Sequence, residues 1–167
     1  MTARHFFRLA CAAMLLVVSG NAWADCTEPP GPGVNWRRCY MDQRHFLNVD
    51  LTGAVLREAS FARADLSGSI LAKIDGRRTK FFTAHLADTV FDSARMIEAD
   101  FTRADLRGSS FRGADLRRVR FFRAKLKDAD FTDARLDGAD LLSADLTGAT
   151  WTDGKTICAE DSIGQCN

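Results

Sequence analysis

The chain has 167 residues, with 23 lysines and arginines against 22 aspartates and glutamates, and five cysteines. That length suits one domain and not two. The balanced charge offers no global field for nucleic acid, and none of the acidity that an imitation of nucleic acid needs.

Residues 1–24 read as a secretory signal. Arg4, His5 and Arg8 make a basic start, and an apolar run follows from Leu9 to Val18. Ala22-Trp23-Ala24 then places small residues where a signal peptidase cuts, between Ala24 and Asp25. The run is too short to remain as a membrane anchor, so no transmembrane segment is expected after cleavage. Cys11 precedes most of the run, which disfavours a lipoprotein site. Cleavage leaves 21 basic residues against 22 acidic ones, a net charge of −1. The expected location is periplasmic or secreted.

Residues 25–45 contain all three prolines, together with Cys26 and Cys39. Proline cannot donate to a β-ladder. The segment is therefore expected to be a cap, with Trp36 covering whatever it closes.

From Phe46 to Trp151 every fifth residue is large and apolar through 22 pentads, and only Gly76 breaks the rule. Two residues before each large one sits a small one, usually alanine, as at Ala54, Ala59, Ala64, Ala99 and Ala104. A period of five fits neither a helix nor a flat strand. It needs a chain that turns a corner every five residues and sends one small and one large side chain inward. Such a coil buries its faces only against the coils above and below it. Gly76 comes with Ile74 in the small position, and the register resumes at Phe81. The two residues therefore read as an exchange of volume; a deformed corner that binds something is the sharper alternative. Residues 152–167 follow the repeat, carry Cys158 and Cys166, and are expected to form a C-terminal cap. An exported chain with four remaining cysteines is expected to form disulfides. Because two precede the solenoid and two follow it, Cys26–Cys39 and Cys158–Cys166 is the expected pairing. A zinc site would be the rival, but no Cys-x-x-Cys element or flanking histidine is present.

The units Ala-Asp-Phe-Thr-Arg (99–103), Ala-Asp-Leu-Arg-Gly (104–108) and Ala-Asp-Leu-Thr-Gly (144–148) resemble the pentapeptide-repeat family. The resemblance implies an all-β single domain, a right-handed quadrilateral parallel β-helix with four pentads per coil. The columns agree with four. At 20-residue spacing Phe61, Phe81, Phe101 and Phe121 line up and end in Leu141, and Leu66, Leu86, Leu106, Leu126 and Leu146 line up without exception. Five coils and a little more stack to roughly 25 Å. The Pro-Gly-Pro-Gly-Val-Asn-Trp start and Ile-Gly-Gln-Cys end resemble exported bacterial members, a resemblance that brings no defined activity with it.

No catalytic constellation appears. His45 and His85 are the histidines beyond the signal, with no nucleophile at a recognisable spacing, and no Gly-x-Ser-x-Gly elbow or phosphate loop occurs. Asp65, Asp105 and Asp145 share a column, but Lys125 interrupts it, which argues against calcium. No metal or cofactor is expected. Outward residues divide by charge: the two sides built on the 56 and 61 columns carry a net +5, the other two −5. The basic half holds the candidate binding residues Arg77, Arg78, Phe82, Arg103, Arg117, Arg118, Phe122 and Arg123. Aromatics beside arginines are favoured at interfaces. The expected function is an exported, non-catalytic scaffold for a protein or an anionic surface, with no nucleic-acid partner and no stated oligomeric state. Topoisomerase protection by DNA mimicry, the best-known role in the wider family, would require an acidic rod in the cytoplasm. A cryptic hydrolase would require the constellation that is missing.

Overall fold

The computed structural model describes residues 24–167; residues 1–23, which carry most of the expected signal together with Cys11, lie outside the described residues. The chain winds as a right-handed four-sided β-helix, without an α-helix among the described residues. Its ladder consists of single parallel bridges 20 residues apart, from Asn35–Val55, Tyr40–Ser60, His45–Asp65 and Asp50–Ile70 up to Asp130–Thr150. Bridge residues mark the middles of the four sides, and the two turn residues between them make the corners.

One pentad shows the local rule. Ala54 N–H closes a turn on Leu51 O at 2.9 Å, while Leu51 N–H and Gly53 N–H donate to Ile70 O and Ala72 O of the next coil. Val55 N–H donates back to Val34 O. The backbone of this pentad is thus paired both along its side and at its corner. The geometry demands a left-handed third residue in each turn, as in a type II turn. All 24 corners from Gly33 to Gly148 have φ between 54° and 73°, and 17 of them are not glycine. Thr83, at φ 54°, is the β-branched case. Thr83→Gly should raise stability by about 1 kcal/mol, because the left-handed basin crowds a branched Cβ. Chemical denaturation of the two proteins checks it.

Inside, the expected columns are present. Phe61, Phe81, Phe101 and Phe121 stack with centroids 5.3, 4.9 and 5.3 Å apart. On the opposite side Phe91, Phe111 and Phe131 stack at 5.0 and 5.2 Å. The two stacks meet edge to face across the axis, as Phe91 and Phe101 do at 5.6 Å. Both arrangements suit the ring quadrupole. Where the small position holds a hydroxyl, it donates to a turn carbonyl: Thr79 to Leu56 O at 2.7 Å, Thr89 to Leu66 O at 3.0 Å, and Ser69 to Phe46 O at 2.7 Å.

Asp75 keeps its bridges to Val55 and Arg95, Gly76 N–H donates to Arg95 O and Thr79 N–H closes the turn on Gly76 O, so the corner is not deformed. Ile74 is fully buried, and Met96 Sδ and Ile74 Cδ1 occupy the space where a Gly76 side chain would stand. The exchange of volume is the correct reading.

The N-terminal boundary needs correction. The ladder begins at Asn35, not at Phe46, and Trp36 and Met41 are each 1 % exposed in the large-residue columns. Cys39 takes a small inward position. Trp36 is thus a layer of the core, in contact with Phe46 and Phe61, and not a lid over it. The reason is visible in register: Trp36 and Met41 stand ten and five residues before Phe46. Trp36 Nε1 donates to Glu28 O at 3.2 Å, which ties the segment ahead of the first coil to it.

Both expected disulfides are formed, Cys26–Cys39 and Cys158–Cys166. Oxidised protein should be about 4 Da lighter than its reduced form by mass spectrometry. Opening Cys26–Cys39 should cost roughly 3 kcal/mol for a loop of this length. At the other end, the chain returns antiparallel over two sides of the last coil through Thr150–Ile157 and Asp145–Ile163. There it accepts the N–H groups of Leu146, Gly148 and Trp151. On the remaining two sides the N–H groups of Leu136, Gly138, Leu141 and Ser143 find no partner among the described residues. Their counterparts in every lower coil donate to the coil above.

Candidate binding surface

The structure divides the eight sequence-predicted residues between two corners. Arg77, Arg78, Arg117 and Arg118 lie in turn positions of one corner; Phe82, Arg103, Phe122 and Arg123 lie in those of the next. The bridge residues Lys80, Asp100 and Arg120 run along the side between them.

At the first corner every one of the four arginines is engaged. Arg38, Glu58, Arg78, Glu98 and Arg118 alternate in sign up the rod, with contacts of 2.8, 3.8, 3.1 and 3.5 Å between successive members. Asp75 receives Arg57 at 2.6 Å and Arg77 at 2.9 Å, and Asp115 receives Arg117 at 2.7 Å. Arg120 pairs with Asp100 at 3.0 Å. Exposed pairs contribute about 0–1 kcal/mol each, so this lattice neutralises more than it stabilises. The hollow lined by Arg57, Glu58, Arg77, Arg78 and Ile97 is therefore walled by partnered charge.

The second corner differs. Arg63, Arg103 and Arg123 make no ion pair among the described residues. Beside them run Ala62, Phe82, Thr102, Phe122 and Leu142, one per coil. Phe82 is 40 % exposed and Leu142 64 % exposed, while Phe122 is half-buried beneath Arg123, whose guanidinium lies 5.0 Å from the ring centroid. Arg63 and Leu142 belong to this group, although the aromatic slot alone does not single them out.

The family model of the pentapeptide repeat region matches residues 44–121, and that of pentapeptide repeats in eight copies matches residues 114–150. The chain belongs to the pentapeptide-repeat family. Among solved structures it is similar to HetL, a pentapeptide repeat protein involved in heterocyst differentiation regulation from the cyanobacterium Nostoc sp. The identity is 27 %, over 74 % of this chain and 70 % of that one, with a TM-score of 0.35. A pentapeptide repeat protein of the Arabidopsis thaliana thylakoid lumen is 25 % identical over 77 % of this chain and 83 % of its own, at a TM-score of 0.46. QnrB1, a plasmid-mediated fluoroquinolone resistance protein, is 18 % identical over 69 % and 67 %, at 0.45. No curated protein matches.

A few acids of this pentapeptide-repeat protein are held ionised by their neighbours. The Arg107 guanidinium, against some opposition from burial, keeps Asp105 below the ordinary carboxylate range, and Arg117 does the same for Asp115. Burial raises the Asp75 carboxyl, but hydrogen bonds from Arg77 and Arg57 outweigh it and the group ends below its ordinary value. At the start of the C-terminal cap, Asp153 accepts the Thr156 hydroxyl at 2.7 Å and the Thr156 and Lys155 N–H groups at 2.8 and 2.9 Å. These bonds lower its pKa from 3.8 to about 2. Depressed carboxyls stabilise the fold fully above their unfolded pKa, and the contribution is lost as pH falls through the folded value. Melting temperatures should therefore stay level from neutrality down to about pH 4 and drop steeply towards pH 2.

Proposed function

We propose that the protein is an exported, non-catalytic scaffold that meets its partner along the corner carrying Phe82, Phe122 and Leu142. One observation carries the reading: Arg63, Arg103 and Arg123 make no ion pair among the described residues, while Arg77, Arg78, Arg117 and Arg118 of the neighbouring corner are all held by acids. Unpaired cations beside exposed aromatic side chains keep their binding capacity for something outside the chain. The signal-like start and the two disulfides support export. Against a hydrolase stands Ser67, whose hydroxyl donates to Asp65 at 2.7 Å and not to a histidine. No serine among the described residues shares a side-chain hydrogen bond with a histidine, the contact a Ser–His nucleophile needs.

Photo-crosslinkers at positions 82 and 142 should give adducts in cells, whereas one at Ile70, on another side of the rod, should give few. Equal adducts from all three positions would remove this corner from the proposal. Export is checked separately: the purified protein should begin at Asp25, and a protein retaining residues 1–24 in the cytoplasm would end that part of it.

A further inference from the structure

Resting on that reading, we infer that the partner of this corner is an anionic lipid surface. The first argument is shape. Phe82, Phe122 and Leu142 are turn residues, so they project from a convex edge and not from a groove. A folded protein meets a ridge well only with a matching trough. A bilayer interface is soft and accepts a convex apolar line to a depth of about 5–10 Å.

The second argument is charge. Arg63, Arg103 and Arg123 stand one position after Ala62, Thr102 and Phe122, so each cation sits beside the apolar line, within reach of phosphates at an interface that the line enters. Arginine can keep its head at that level while its stem packs against the aromatics. The acids flanking the middle of the ridge, Asp100 and Asp105, are neutralised by basic partners, and Asp65, Asp140 and Asp145 accept hydrogen bonds from neutral groups. Asp100 is paired with Arg120, and Asp105 with Arg107 and Lys125. Asp65 holds the N–H and hydroxyl of Ser67, and Asp140 holds the N–H of Leu142.

The third argument is orientation. Asp88 and Asp133, on the acidic half of the rod, make no ion pair among the described residues. A rod polarised across its axis turns its basic half towards an anionic plane and its acidic half away. From Ala62 to Leu142 the ridge crosses four coil rises, about 19 Å. The rod would therefore lie flat on the membrane along this edge.

The test is co-sedimentation of the purified protein with vesicles of phosphatidylcholine mixed with phosphatidylglycerol, and with phosphatidylcholine alone. Binding is expected only with the anionic lipid. The triple variant Arg63→Gln/Arg103→Gln/Arg123→Gln should lose about 100-fold in affinity, roughly five-fold per arginine. Phe82→Ser/Phe122→Ser should lose at least about ten-fold. The charge-matched variant Lys73→Gln/Arg112→Gln/Lys127→Gln, altered at the other corners, should stay within about two-fold of wild type. Equal losses from both triple variants, or no preference for the anionic vesicles, would overturn the lipid assignment. Crosslinks from positions 82 and 142 to a protein, with no vesicle binding, would overturn it too while leaving the scaffold reading intact. Circular dichroism of each variant separates lost binding from lost fold.

Discussion

Phe101→Asp yields no folded protein. Phe101 has no exposed surface, and its ring lies 4.9 Å from that of Phe81 and 5.3 Å from that of Phe121, with Phe91 and Phe111 edge-on across the axis. Truncating such a ring costs about 3–5 kcal/mol from lost contacts and the cavity left behind. The carboxylate adds a further cost of several kcal/mol, because nothing in that apolar layer can solvate or pair it. The sum rivals the whole stability of a small domain, about 5–15 kcal/mol. Phe101→Leu keeps the site apolar and should cost about 1–2 kcal/mol. Soluble yield, circular dichroism and thermal melting decide the matter. A cooperative melt of the aspartate variant near the wild-type temperature would mean that the aromatic stack is not the core.

Reversing the exchange at Gly76 should show strong coupling. A Cβ at Gly76 runs into Met96 Sδ and lies 3.3 Å from Ile74 Cδ1. Gly76→Leu alone overpacks this layer and should cost at least about 3 kcal/mol. Ile74→Ala alone empties it and should cost about 2–5 kcal/mol. Together they restore the ordinary pentad of alanine followed by leucine, and the flexible Met96 can withdraw. The double variant should fall within about 1 kcal/mol of wild type, giving a coupling of at least about 4 kcal/mol in a double-mutant cycle. Simple addition of the two losses would show that the residues fill separate spaces.

The coil was legible because its inward residues obey one rule with one exception, and packing leaves them little freedom. Trp36 and Met41 obey the same rule but were obscured by the prolines and cysteines around them, which signal a cap more loudly than two large residues signal a coil. The outward residues are harder to interpret. Charge sums by side place twelve positive residues on the basic half and cannot distinguish a cation bound to its neighbour from one left free. Arg78 and Arg103 look alike in such a count. They differ because Glu58 and Glu98 stand 20 residues to either side of Arg78, whereas Thr83 and Arg123 stand in those places around Arg103. Aligning outward slots at the coil period would have exposed the difference. The exposure of Phe82 beside the half-burial of Phe122 required coordinates.

The half-covered final coil gives the rod a preferred place to open. Where the returning chain is paired, lifting the last coil means breaking antiparallel bonds and displacing the Cys158–Cys166 loop. Over Leu136 and Leu141 no backbone bond to a further layer is formed among the described residues, and Gly164 only packs beside Leu141 O and Ser143 N. The amide protons of Leu136, Gly138, Leu141 and Ser143 have no backbone acceptor among the described residues, so exchange should begin there and move down the same two sides before it reaches the others. The solenoid then unzips like a seam pulled from one edge, and the layer around Phe101 is among the last to feel it.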